Sequence, residues 1–238
     1  WSPALRNIAM VFQQYSLYPH YTVRQNLEFP LKSKIRKLSK AEIEQRVNYA
    51  AETLKIGPLL ERKTDKLSGG EMQRVSIGRA IVRQPKAFLM DEPLSSLDAK
   101  LRESLRVELK RLQKELGATL LFVTHDHFED MSMADRIGVI KEGRLLQSDT
   151  PFEVYNHPTS VYVARFVGSP KINLFDGIIE GGGLLIKGSE ERIQLEESLL
   201  AKLDGVTGDV IVGIRPEDVV VTPDATDNSG VAKVYVVE

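Results

Sequence analysis

The sequence predicts an α/β domain with a mostly parallel sheet, followed by a small all-β domain. Two patterns and a length carry that prediction. From Ile8 to Ile140, apolar runs of strand length alternate with segments of helical period, the arrangement of strands joined by crossover helices. After Phe166 to Pro170 the helical period fades. Short strand-like runs are then separated by Gly181-Gly182-Gly183, Gly188, Gly205 and Asn228-Ser229-Gly230, the rhythm of a small all-β domain. A chain of 238 residues suits one large domain and one smaller one. The boundary is set at the composition shift, giving domains over 1–165 and 166–238.

Each element has its own local signal. Ile8 to Phe12 is a short apolar run. Ser39 and Glu42 stand at capping-box spacing, and Ile43, Val47, Ala50 and Leu54 then recur at helical spacing until Gly57-Pro58. Gly70 to Val82 reads as a helix halted ahead of Pro85. Lys86 to Met90 reads as a buried strand. A long helix is expected after Asp98, with Leu101, Leu105, Leu109, Leu112 and Leu116 on one face and Gly117 as its stop. Leu120 to Val123 is another apolar strand, and Arg136 to Ile140 with Leu145 to Gln147 flank a hairpin-like turn at Lys141-Glu142-Gly143. In the second domain, strands are expected at Leu174 to Ile179, Leu184 to Lys187, Val210 to Ile214 and Val231 to Val237.

Composition excludes several classes of function. An apolar share of 42% is ample for a buried core and rules out disorder. A net charge of -1 argues against a nucleic-acid-coating protein. Zero Cys excludes a disulfide scaffold, a thiolate metal site and a cysteine nucleophile, and fits a reducing compartment. No apolar stretch approaches the roughly 18 residues that span a bilayer. The start, Trp1-Ser2-Pro3-Ala4-Leu5-Arg6, has neither an initiator Met nor a signal-peptide pattern. The end, Val234 to Glu238, stops inside a strand-like alternation, so both ends read as cut. The basic run from Lys32 to Lys40 reads as a solvated surface segment.

Five short stretches can carry chemistry. In Ala87-Phe88-Leu89-Met90-Asp91-Glu92-Pro93 an apolar strand ends in two adjacent carboxylates, placing charge at the carboxyl edge of a parallel sheet. Asp91 can hold Mg²⁺ through water, and Glu92, pointing the other way, can polarise an attacking water. The plain alternative is a strand end followed by a turn. In Leu67-Ser68-Gly69-Gly70-Glu71 the glycines open backbone N–H groups to close approach where a helix begins, and a helix N-terminus attracts phosphate. The alternative is a Gly-rich loop with a Ser cap. Gln13, after the first strand, can touch a phosphate or a metal, or simply lie on the surface. His125, after Val123-Thr124, can contact a terminal phosphate or be a structural histidine. Ser95-Ser96-Leu97-Asp98 looks like a helix N-cap.

The combination is more specific than its parts. A Gln after a strand, SGG at a helix start, strand–Asp–Glu, SSLD and strand–Thr–His occur in that order. This resembles the nucleotide-binding subunit of an ATP-binding-cassette (ABC) transporter. The resemblance implies an α/β P-loop NTPase domain followed by an OB-like regulatory domain. It makes Gln13 the Q-loop, Leu67 to Glu71 the signature, Ala87 to Asp91 the Walker B strand, Glu92 the catalytic glutamate, Ser95 to Asp98 the D-loop and His125 the switch histidine. It further implies catalysis by Glu92, His125 and Gln13, and Mg²⁺ held by Asp91 and Gln13. ATP would be touched by Gln13, Asp91 and Asp98 of one subunit and by Ser68, Gly69, Gly70 and Glu71 in trans.

The likeness narrows to carbohydrate importers of the maltose and glycerol-phosphate type. Phe12-Gln13-Gln14-Tyr15-Ser16-Leu17-Tyr18-Pro19-His20 is similar to their Q-loop region. Pro151 to Pro158 with Gly168 to Asn173 is similar to their domain junction, and Gly213-Ile214-Arg215-Pro216-Glu217-Asp218 to a segment of their β domain. The implied partners are a second ATPase subunit packed head to tail, transmembrane permease subunits met by Tyr15 to His20 and, indirectly, an extracytoplasmic solute-binding protein. Nucleic acid is not an expected partner, since the β tail shows no basic stripe. The implied location is peripheral, on the cytoplasmic face of the cell membrane.

The chain departs from the family pattern in three places. No G-x-x-x-x-G-K-[ST] run occurs in the 238 residues. That motif cradles the β- and γ-phosphates, and in the family it precedes the position where this chain begins. The expectation is a chain lacking its N-terminal part that does not hydrolyse ATP alone. Glu71 stands where the commonest signature has Gln, with little expected effect. His127 and Phe128 differ from the usual importer pattern. Two alternative functions are a soluble ABC ATPase uncoupled from transport and a non-catalytic regulatory fragment using the β domain. Co-purification with a permease separates the first from an importer, and the sequence ahead of Trp1 separates the second.

Overall fold

The computed structural model describes residues 6–33, 37–95, 97–125, 131–188, 192–203 and 205–220, without the side chains of 112 and 116. Two compact units divide the chain, Trp1–Ala134 and Asp135–Glu238. The second begins upstream of the composition shift near Phe166, because a hairpin and two short helices precede its antiparallel sheet.

In the first unit, strands β1 (Ile8–Val11), β2 (Ala87–Asp91) and β3 (Thr119–Val123) form a parallel sheet in the order β1-β2-β3. Val11 is level with Met90, and Asp91 with Val123. The helices are α1 (Val23–Glu28), α2 (Lys40–Thr53), α3 (Gly69–Ile81) and α4 (Ala99–Leu116). Ile77 and Ile81 of α3 and Leu109 of α4 meet Phe88, Met90 and Leu120 on one face of the sheet. Val47, Leu54, Val75, Ile77 and Leu105 are fully buried in that core. On the other face Met10, Leu121 and Val123 stay exposed. The described helices therefore cover one side of this sheet.

Local chemistry accounts for the helix limits. Ser39 and Glu42 form the capping box that their spacing predicts. Helix α2 ends at Thr53, ahead of the expected Gly57-Pro58, which instead opens a short 3-10 turn over Gly57–Leu59. A second capping box, Thr22 with Gln25, starts the short α1, which hydrophobic period does not reveal in six residues. Asp98 caps α4, and Gly117 ends it in the left-handed region at φ +56°. Leu105 and Leu109 lie on its buried face.

The second unit opens with the antiparallel hairpin β4 (Ile137–Lys141) and β5 (Arg144–Asp149), as the turn signal predicts. Two short helices, α5 (Pro151–Asn156) and α6 (Val161–Phe166), follow. Strands β6 (Asn173–Glu180), β7 (Gly183–Ile186), β8 (Arg192–Gln194) and β9 (Gly208–Ile214) then form an antiparallel sheet in the order β8-β7-β6-β9. The three-residue β8 and the helix α7 (Glu197–Lys202) are too short for a periodic signal. The strand expected at Val231 to Val237 lies outside the described residues.

Candidate nucleotide site

Parallel strands send their carboxyl ends to one edge, and here three of those ends converge. Gln13 lies just past β1, Glu92 just past β2 and His125 just past β3. Gln13 Nε2 donates to Glu92 Oε2 at 3.1 Å and to Ser95 Oγ at 3.3 Å. His125 Nδ1 lies 3.2 Å from Glu92 Oε1. Glu92 thus has a different neighbour on each carboxylate oxygen. Nδ1 is the ring nitrogen that faces Glu92, so Nε2 faces away from it. The Glu92 side chain is 29% exposed and that of His125 70% exposed, so the group sits at an open rim.

The backbone of Glu92 is strained. Its φ is +43°, a region costing a non-glycine residue about 1–3 kcal/mol. Hydrogen bonds on both sides hold it there. Its N–H donates to Val123 O at 2.8 Å, extending the β2–β3 ladder, and its carbonyl accepts from Ser95 Oγ at 3.0 Å. Asp91 is the exposed last residue of β2, beyond the buried Met90.

The Ser68-Gly69-Gly70 stretch also lies where a helix begins. Ser68 caps α3, its Oγ accepting from Glu71 N at 3.3 Å while Glu71 Oε2 accepts from Ser68 N at 2.8 Å. Glu71 therefore closes a capping box, a structural use for Glu at this position. The N–H groups of Gly69 and Gly70 lie between the two bonded ones and outside that pairing. The two glycines have different steric neighbours. A Cβ on Gly69 would stand 3.1 Å from Tyr15 Oη, and one on Gly70 would stand 2.0 Å from Leu101 Cδ2. A side chain at Gly70 would therefore have to displace Leu101 of α4 within the same chain.

Other predicted residues fall elsewhere. Asp98 Oδ1 accepts from Leu101 N at 3.0 Å, as an N-cap does. Among the described residues no hydrogen bond joins Ser68, Gly69 or Gly70 to Gln13, Glu92 or His125. His127 and Phe128 lie outside the described residues. Sequence reasoning missed the tie from Ser95 to Gln13, although a Ser three residues after a strand-end residue is a turn signal. It also missed Arg79, whose guanidinium donates to Ser16 O and lies 4.8 Å from the centre of the Tyr18 ring. Arg79 binds the segment after Gln13 to α3.

Among the described residues no cluster of three or more His, Cys, Asp or Glu side chains could hold a metal ion. Mg²⁺ needs fewer, since it is commonly held by one or two protein oxygens together with substrate phosphates. The Asp91 carboxylate and the Gln13 amide oxygen are hard donors of that kind at one sheet edge. With both amide hydrogens of Gln13 committed to Glu92 and Ser95, the oxygen is the polar atom left over.

Residues 1–95 match the family model described as ABC transporter, and residues 168–219 match the MalK OB fold domain. The chain carries an ABC transporter domain and a MalK-type OB-fold domain. It is 52% identical over 219 residues to the trehalose/maltose import ATP-binding protein MalK of Thermococcus litoralis, covering 91% of this chain and 58% of that protein. It is 50% identical to the sn-glycerol-3-phosphate import ATP-binding protein UgpC of a Jannaschia species, covering 91% and 60%. It is 48% identical to the xylose/arabinose import ATP-binding protein XacJ of Haloferax volcanii, covering 95% and 58%. Among solved structures, cbiO1 of Clostridium perfringens, part of the ABC transporter complex cbiONQ, superposes with a TM-score of 0.58 at 34% identity. That superposition covers 63% of this chain and 59% of cbiO1. The chain spans about three fifths of the length of the curated relatives it matches. Its architecture is an ABC ATPase domain with a MalK-type OB-fold domain. Among the described residues no helix is long and apolar enough to cross a membrane.

Proposed function

We propose that this chain belongs to the ATP-hydrolysing, energy-coupling subunit of an ABC importer for sugars, polyols or glycerol-phosphate-like solutes. The observation that carries this reading is the grip of Gln13 and His125 on Glu92 at the carboxyl edge of a parallel sheet. The import functions named for the relatives support the solute class.

In this reading Glu92 orients the attacking water, and His125 offers its outward nitrogen to the terminal phosphate. Asp91 and the Gln13 amide oxygen hold Mg²⁺, which when bound neutralises charge developing on the phosphates. Ser68, Gly69 and Gly70 of a second subunit close over the same phosphate, using the donors at the start of α3. Glu71 contributes there by fixing the Ser68 cap, and Asp98 by holding the D-loop turn against α4. ATP contacting both subunits favours their closed pair, and loss of the γ-phosphate releases it. Tyr15 to His20 meet the permease, so closure reaches the pore on the cytoplasmic side. A solute-binding protein delivers the solute at the other face. The sequence boundary divides the roles, 1–165 for hydrolysis and 166–238 for regulation, although the second compact unit already begins at Asp135. The 238 residues alone hold no Gly-Lys pair to cradle the β-phosphate. By themselves they are expected to show no ATP-binding isotherm at micromolar concentration.

The test is Glu92→Gln in the intact protein. ATP binding persists, turnover falls by at least about 100-fold, and ATP-stabilised dimers accumulate on size-exclusion light scattering. Wild-type hydrolysis in this variant removes Glu92 from its role. The role of the helix tip is read with Gly69→Asp, which keeps ATP binding and abolishes ATP-dependent dimers. A substitution at Gly70 reads less cleanly, because it strikes Leu101 within the chain.

A further inference from the structure

Ser95 opens the stretch that the resemblance makes the D-loop, and in the structure its hydroxyl lies between Gln13 and Glu92. Its hydroxyl has one hydrogen and two lone pairs. The hydrogen goes to the Glu92 carbonyl at 3.0 Å, and a lone pair receives Gln13 Nε2 at 3.3 Å. The second hydrogen of the same amide goes to Glu92 Oε2 at 3.1 Å. The result is a closed triangle of Gln13, Glu92 and Ser95 in which every donor is used. It does two things at once. It holds Glu92 in its left-handed conformation at φ +43°, where a glutamate does not rest by itself. It also fixes the flip of the Gln13 amide, because only the nitrogen side can face a carboxylate and an already-donating hydroxyl.

We propose that Ser95 is a positioning residue for the hydrolytic site, setting both the backbone of Glu92 and the orientation of the Gln13 amide through one hydroxyl. This rests on the function proposed above. Without the hydroxyl, Gln13 loses one of two anchors, its amide oxygen is no longer fixed outward, and Glu92 loses a bond that offsets its strain. Ser95 itself touches no nucleotide in this scheme and acts through Glu92 and Gln13.

The experiment compares Ser95→Ala, Ser95→Thr and Glu92→Gln in the intact protein. Ser95→Ala is expected to lower kcat roughly tenfold, within what the loss of the two hydroxyl hydrogen bonds allows. Ser95→Thr keeps the hydroxyl and restores kcat. A second readout needs no nucleotide. The ¹⁵N–¹H₂ resonances of the Gln13 side chain shift in Ser95→Ala and stay near the wild-type position in Ser95→Thr. Wild-type kcat in Ser95→Ala, or unmoved Gln13 resonances in that variant, overturns the proposal. If Glu92→Gln is inactive while Ser95→Ala is normal, only the Ser95 assignment fails. If Glu92→Gln hydrolyses ATP normally, the proposed function fails and takes this inference with it.

Discussion

Single side chains decide more here than their surroundings suggest. Glu42 is an instance away from the site. Its carboxylate accepts from Ser39 N at 2.8 Å and from Ser39 Oγ at 2.8 Å. The Ser39 backbone N–H, and then its hydroxyl, hold the Glu42 carboxyl below the usual glutamate range. The native group therefore releases its proton more readily than the unfolded one. Its contribution is complete above the unfolded value, near 4.5, and is lost as pH falls through the lower folded value. Thermal melts between pH 7 and pH 3 should lose stability in that acid window. Glu42→Gln should keep the cap, since Gln also closes a capping box, and flatten that part of the profile. An unchanged acid limb in the variant would exclude this group as a source of it. The sequence announced this pair by spacing alone. It could not announce the crowding of Gly70 by Leu101, since the two meet only when α3 and α4 pack.

At the scale of elements, the second unit depends on one buried cation. The Arg215 guanidinium donates to Ala164 O at 3.2 Å, Val167 O at 2.7 Å and Tyr155 O at 2.8 Å, and stacks 3.9 Å from the centre of the Tyr155 ring. Tyr155 Oη in turn donates to Glu217. Arg215 thus ties the residue after β9 to α5 and α6 through a planar fork that Lys cannot reproduce. Gly168 lies against it at φ +112°, where a Cβ would stand 2.9 Å from Arg215 Nη1. The two stretches that suggested a domain junction and a β-domain motif are therefore one structural clamp. Arg215→Ala should cost about 3 kcal/mol, and Arg215→Lys should recover little of it. Urea titration by circular dichroism checks both. Full stability in the Lys variant would show that charge alone suffices. In the first unit, Leu105 is fully buried on α4, and Leu105→Ala should cost about 2–5 kcal/mol.

For the molecule as a whole, the two units have separate cores, so local damage should remain local. Hydrogen exchange should show Leu105→Ala exposing amides in residues 6–125 while leaving β6 to β9 protected, and Arg215→Ala the reverse. Loss of protection in both units from either variant would mean that they unfold as one. The sequence by itself determined the order of the main strands and helices, the Ser39–Glu42 capping box and the stop at Gly117, and it marked Gln13, Glu92 and His125 as candidates. Each rests on residues near one another in the chain, or on a motif order that a linear string preserves. Tertiary structure alone decided that Ser95 bridges Gln13 to Glu92, that Arg79 ties the Tyr15–Tyr18 segment to α3, and that Arg215 closes on Tyr155. Those contacts join residues far apart in sequence. Their partners are largely main-chain carbonyls, and a carbonyl has the same chemistry at every position until folding selects one.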